Sequence, residues 1–210
     1  MNALTVEEML SQLRTGLQEQ APQQLLTRDE AELAPDAAEM KSSAELLLSA
    51  GDTRLARNIL RTMVQNGVLV GWALRTLGQT LESEQKIDQA RRCYQDAIAY
   101  EAHLEAYRCL ASLELRSQND AAAADALERA LKLPLLSTKV RFELHKASGN
   151  CWLLARKTDS AEAHYRKALQ MNPASDQAAS NLGARYLQSG RIREAQRSFE
   201  DALVDNPVNS

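Results

Sequence analysis

Three histidines, three cysteines and a few paired carboxylates are the residues of this chain whose types could do chemistry. Catalysis would need a nucleophile beside a base, a metal cluster, or a glycine-rich cradle for phosphate. His103, His145 and His164 are not spaced as metal ligands, and the sequence has no G-x-G-x-x-G, no P-loop and no H-E-x-x-H. Cys93, Cys109 and Cys151 make an odd count without a C-x-x-C pair, which argues against a disulfide framework or a zinc site. They read as free thiols in a reducing compartment. Cys93 and Cys151 fall beside packing positions and read as small buried hydrophobes. His103, in a turn, and His164, on a helix, read as solvated side chains. Glu7–Glu8, Asp29–Glu30 and Glu82–Glu84 read as solvated faces, since nothing sets a second catalytic group against them. The expectation is a chain with no catalytic residues, no metal and no cofactor.

The elements that position these residues should be helices. Of 210 residues 44% are hydrophobic and only 4% aromatic, and Ala, Leu, Gln, Glu and Arg, all helix formers, abound. The expected fold class is all-α. A net charge of −3 argues against a dedicated nucleic-acid binder, which needs a basic face to neutralise phosphates. The opening MNALTVEEMLSQL lacks the basic start and apolar core of a secretory signal. No apolar run reaches the roughly 18 residues of a membrane helix. A cytoplasmic, soluble protein is the expectation.

The chain repeats itself. Shifted by 34 residues, Gly183 falls on Gly149, Tyr186 on Trp152, Ala195 on Ala161, Phe199 on Tyr165, Ala202 on Ala168 and Pro207 on Pro173. The pattern continues upstream through Leu77, Gly78, Leu81, Ala90, Tyr94 and Ala97, and through Tyr107, Leu110, Ala111, Ala123, Leu127 and Ala130. It is weaker in Ala44, Leu47, Gly51, Ala56, Leu60 and Met63. Small residues at the eighth and twentieth positions would let two helices approach where they cross, and large residues would fill the space between. Self-similarity at this period signals a helix–turn–helix repeat whose copies must stack to bury their apolar faces. One step is 38 residues, from Ala123 to Ala161, with the excess in LPLLSTKVRF. There Pro134 should end one helix, Ser137 or Thr138 should cap the next and lengthen it by about one turn, and Leu135 and Leu136 should be left exposed.

These residues resemble the tetratricopeptide repeat family over about residues 37–207. Five repeats start near Ala37, Gly71, Leu104, Phe142 and Asp176. The resemblance implies a right-handed α-solenoid of antiparallel helix pairs, with the first helix of each pair lining a concave groove. The fifth position of successive repeats then reads Lys41, Arg75, Arg108 and Lys146, ending in Ser180. Some relatives clamp a peptide carboxylate with Lys, Arg and Asn on these helices. Lys41, Arg75, Arg108, Lys146 and Asn150 would form a similar strip, with Trp72 as an apolar anchor and Cys109 facing the same groove. The ninth position of the first repeat carries Glu45 rather than Asn, so a looser preference for an acidic, extended or C-terminal peptide is the expectation. The competing arrangement pairs these bases with Glu45, Glu105 and Glu143.

Residues 1–36 read as a helix followed by a linker. Thr5 and Glu8 form a capping box, and Val6, Met9, Leu10, Leu13 and Leu17 share one face. This helix would cap the array, dock on a partner or meet a second copy. The tail 208–210 follows the last repeat without the extra helix common in the family. Such an edge suits either a fragment of a longer protein or a surface covered by a partner or another copy. The expected function is a non-enzymatic scaffold that binds another protein. The alternatives are self-association through open ends, or a targeting or regulatory region of a longer enzyme or signalling protein.

Overall fold

The computed structural model describes residues 35–173 and 175–204, with backbone alone at 35–36 and 201–204. The helix expected over 5–17, most of the linker after it, Pro207 and the tail 208–210 lie outside the described residues. The described residues form ten helices and no strand: α1 (Pro35–Ser49), α2 (Thr53–Gln65), α3 (Val70–Ser83), α4 (Ile87–Tyr100), α5 (Leu104–Arg116), α6 (Asp120–Ala130), α7 (Thr138–Leu154), α8 (Thr158–Met171), α9 (Asp176–Gln188) and α10 (Ile192–Val204). They fall in two compact units divided between Ala106 and Tyr107. In the first, α1 packs on α2, α2 on α3 and α3 on α4. In the second, α6 packs on α7, and each helix from α7 to α10 packs on the next.

The hairpin turns share one geometry. A single left-handed residue follows the first helix of each pair: Gly51, Gln85, Gln118, Arg156 and Gly190, with φ between 58° and 81°. The next N–H reaches back to close the helix, from Asp52 to Leu47 O, Lys86 to Leu81 O, Asn119 to Glu114 O, Lys157 to Trp152 O and Arg191 to Tyr186 O. This Schellman closure satisfies carbonyls the helix would otherwise leave bare. Glycine fills the left-handed position without steric cost in the first and last hairpins; Gln and Arg hold it in the three between.

The crossing of each helix pair follows one volume rule. A Cβ added to Gly78 would lie 2.5 Å from the Tyr94 ring, one on Gly149 2.7 Å from Tyr165, and one on Gly183 2.8 Å from Phe199. In these hairpins the first helix gives up its side chain and the second supplies a ring. The same positions of the other two hairpins carry Ala44 with Leu60 and Ala111 with Leu127, all buried. A methyl gained on one helix accompanies a smaller side chain on the other, as close packing demands.

The 38-residue step lengthens α7 to 17 residues, against 11 to 15 in the other helices. Ser137 caps it, its hydroxyl accepting from Val140 N. Leu135, with φ 58°, is wholly exposed in the preceding turn, while Leu136 is half-buried. In the second unit the buried Glu162 carboxylate binds Arg166 of α8 at 2.6 Å and Arg191 at 3.0 Å. Arg191 also lies 4.5 Å over the Tyr186 ring, and Arg166 donates to the Tyr186 hydroxyl at 3.0 Å. One carboxylate thereby gathers α8, α9 and the turn before α10.

Candidate functional site

The basic column divides between the two units. In the first, Lys41 of α1 lies with its ammonium 5.7 Å from the centre of the Trp72 ring on α3. Trp72 is half-buried, so it works here as the face on which a lysine rests. Arg75, one turn further along α3, is part-exposed, and its Nε is buried with no partner among the described residues.

In the second unit a cavity of about 350 Å³ opens among α5, α6 and α7. Ala111 and Leu115 of α5 and Leu144, Ala147 and Leu154 of α7 give it apolar walls. Arg108, Glu143 and Asn150 supply its polar side. Lys146 does not line this cavity. Its ammonium is held 2.9 Å from Glu143 and 5.2 Å over the Phe142 ring. The pairing of a column lysine with Glu143 is thus realised on a single helix.

Asn150 is held more firmly than the bases. Its Oδ1 accepts from the Tyr165 hydroxyl at 2.8 Å and from Asn181 Nδ2 at 3.0 Å. With both bonds on the oxygen, the Nδ2 donor is left over, and it bonds to no other described residue. α8 and α9 therefore fix the amide that α7 presents at the cavity. Burial pushes the Tyr165 hydroxyl up to about 12, so it stays a donor. Asn181 and the bonding role of Tyr165 were not visible in the basic column; Asn181 stands one residue beyond Ser180, where that column runs out.

Two of the three thiols, Cys93 and Cys151, are buried and inert. Burial pushes Cys93 up to about 12 and Cys151 up to about 11, away from the thiolate range. Cys109 is half-buried on α5.

The histidines correct the sequence reading. His103 is exposed, but His164 is not a solvated side chain: both it and His145 are only 8% exposed. Their Nδ1 atoms lie 3.0 Å apart, and His164 Nε2 lies 3.0 Å from Glu128 Oε1. Trp152 Nε1–H donates to the same oxygen at 2.6 Å. No hydroxyl or thiol among the described residues bonds to either ring, so the chain of groups reaches no nucleophile. The repeat register carried the signal. His145 occupies the position of Leu74, Tyr107 and Ala179, and His164 that of Cys93, Ala126 and Ser198, all buried.

Comparison with known proteins sets these features in a family. Models of the tetratricopeptide repeat match residues 75–134 and 153–210, together more than half of the chain. A solved structure of MamA protein covers 81% of this chain and 92% of its own, at 22% identity and a TM-score of 0.63. YrrB, described as a TPR protein with an unusual peptide-binding site, covers 95% of this chain and 93% of its own, at 16% identity and a TM-score of 0.61. At these identities the likeness is one of fold. The human protein O-mannosyl-transferase TMTC1 is 31% identical over 134 residues, which is 62% of this chain. The chain spans about one-seventh of that relative's length, 14%. With helix pairs along the described residues, glycine or alanine at their crossings and two family matches, the chain belongs to the tetratricopeptide repeat family, an all-α repeat fold.

Proposed function

We propose that the protein is a non-enzymatic binding module that takes an acidic peptide of a partner protein, extended or C-terminal, at the cavity among α5, α6 and α7. The observation that carries this reading is Asn150: two neighbours hold its oxygen, and its amide donor, bonded to no other described residue, belongs to a side chain that lines a largely apolar cavity. A donor fixed in this way suits a peptide carbonyl or a terminal carboxylate, and the apolar walls suit an aliphatic or aromatic side chain beside it. Arg108 at the same cavity favours negative charge in the ligand. The peptide-binding site named for YrrB supports the same use of this fold.

The test is a fluorescence-anisotropy screen of acidic peptides with free and amidated C-termini. Wild type is compared with Asn150→Ala and with a variant carrying Lys41, Arg75, Arg108 and Lys146 all changed to Glu. Loss of a hydrogen bond to a charged group weakens binding about tenfold to a hundredfold. The expected result is such a loss in Asn150→Ala, and abolition in the charge-reversed variant, with circular dichroism unchanged. Peptide binding indifferent to both variants sinks the proposal.

Self-association is the second reading. Leu187 and Ile192 are more than half exposed at the turn of the last hairpin, an apolar pair that a second copy would cover. Sedimentation velocity over a hundredfold range of concentration decides it, since an invariant monomer removes this reading.

A further inference from the structure

The buried histidine pair has no place in the binding site, and its geometry limits how many protons it holds. His164 donates its Nε2–H to Glu128, which leaves the lone pair of a neutral ring on Nδ1. His145 must then donate its own Nδ1–H across the 3.0 Å contact. One proton lies between the two rings, in a single arrangement. A proton added to His164 Nδ1 requires His145 to move its own proton to Nε2. A second added proton leaves two N–H groups facing each other, with two positive charges and no acceptor between them.

We infer that His145 and His164 form an acid-sensitive latch between α7 and α8, which grips when the pair is neutral, resists protonation while closed, and opens when both rings are charged. The charged groups that face the pair are Glu128 from α6, Arg141 from α7 and Lys167 from α8. Two cations against one anion oppose protonation. Burial first, then the positive charges of His164, Lys167 and Arg141, push His145 down to about 4 from the ordinary 6.5. Burial also lowers His164, against the pull of its bond to Glu128. A group that takes its proton less readily when folded contributes stability that is complete above pH 6.5. That stability is lost as the pH falls from 6.5 towards 4. Tyr165, next to His164 on α8, holds the Asn150 oxygen, so release of the latch also frees that amide. This last consequence rests on the peptide reading; the latch itself does not.

The test uses the full chain, without peptide. Long-range ¹H–¹⁵N correlation spectra from pH 8 to pH 4 report tautomer and titration for each ring, and a His103→Asn variant identifies the exposed one. The expected spectrum at pH 8 has His145 protonated on Nδ1 and His164 on Nε2, and the His145 midpoint lies near pH 4. Urea unfolding between pH 6.5 and 4.5 should show uptake of about one proton on unfolding, and His145→Gln should flatten that slope. Midpoints near 6.5 for both rings, or two rings protonated on Nε2 at pH 8, overturn the latch. So does a folded His145→Gln protein with the wild-type pH profile. Should His145→Gln not fold, the wild-type spectra decide alone.

Discussion

Gly78→Ala sets two physical terms of opposite sign against each other. Within a helix, alanine is favoured over glycine by about 1 kcal/mol. Here, however, the new methyl would stand 2.5 Å from Cε1 and 2.8 Å from Cδ1 of Tyr94. Tyr94 is fully buried, and its hydroxyl is bonded to Glu82 at 2.5 Å, so the ring cannot swing aside. Overpacking at such a site costs about 1–3 kcal/mol, and a contact this short belongs at the upper end. The expected net effect is a loss of about 1–2 kcal/mol, read as a lowered midpoint in urea unfolding followed by circular dichroism. A double-mutant cycle isolates the cause. In the Tyr94→Leu background the same alanine meets the side chain that accompanies Ala44 and Ala111, and it should be neutral or stabilising by up to about 1 kcal/mol. Gly78→Ala at least as stable as wild type, or an equal cost in both backgrounds, would refute the packing argument.

Two further outcomes follow from local geometry. Gln85, Gln118 and Arg156 are exposed residues in the left-handed region, so Gln85→Gly, Gln118→Gly and Arg156→Gly should each stabilise by about 1 kcal/mol in the same urea assay. Native protein at pH 8 should leave Cys93 and Cys151 unmodified by a thiol reagent, with reaction confined to Cys109 until urea exposes the others.

The fold was legible because repeat packing is written locally and then copied. Gly78, Gly149 and Gly183, with Tyr94, Tyr165 and Phe199, announce both the spacing and the close approach of the helices. The residues proposed for binding were legible only by type. Lys41, Arg75, Arg108 and Lys146 share one register, but their partners differ: Trp72 beneath Lys41, Glu143 and Phe142 beside Lys146. Those partners come from side-chain reach, which no period encodes. Asn150 depends on Tyr165 and Asn181, from two other helices. His164 was misread because it was taken singly, as a polar residue on a helix. The buried register that His145 shares with Leu74 and His164 with Cys93 outweighs polarity once the facing Nδ1 atoms and Glu128 satisfy three of the four ring nitrogens.

The volume rule at the crossings also bears on how such an array can be inherited. Small and large partners stand sixteen positions apart, on either side of a hairpin turn. A genetic exchange that breaks inside that turn could join an alanine-bearing first helix to a tyrosine-bearing second one, and the offspring would carry the clash built into Gly78→Ala. A break between hairpins keeps every match intact. The heritable brick of this protein is therefore the complete hairpin. Libraries shuffled at the links following α2, α4, α6 and α8 should yield folded progeny far more often than libraries shuffled at the turns within pairs.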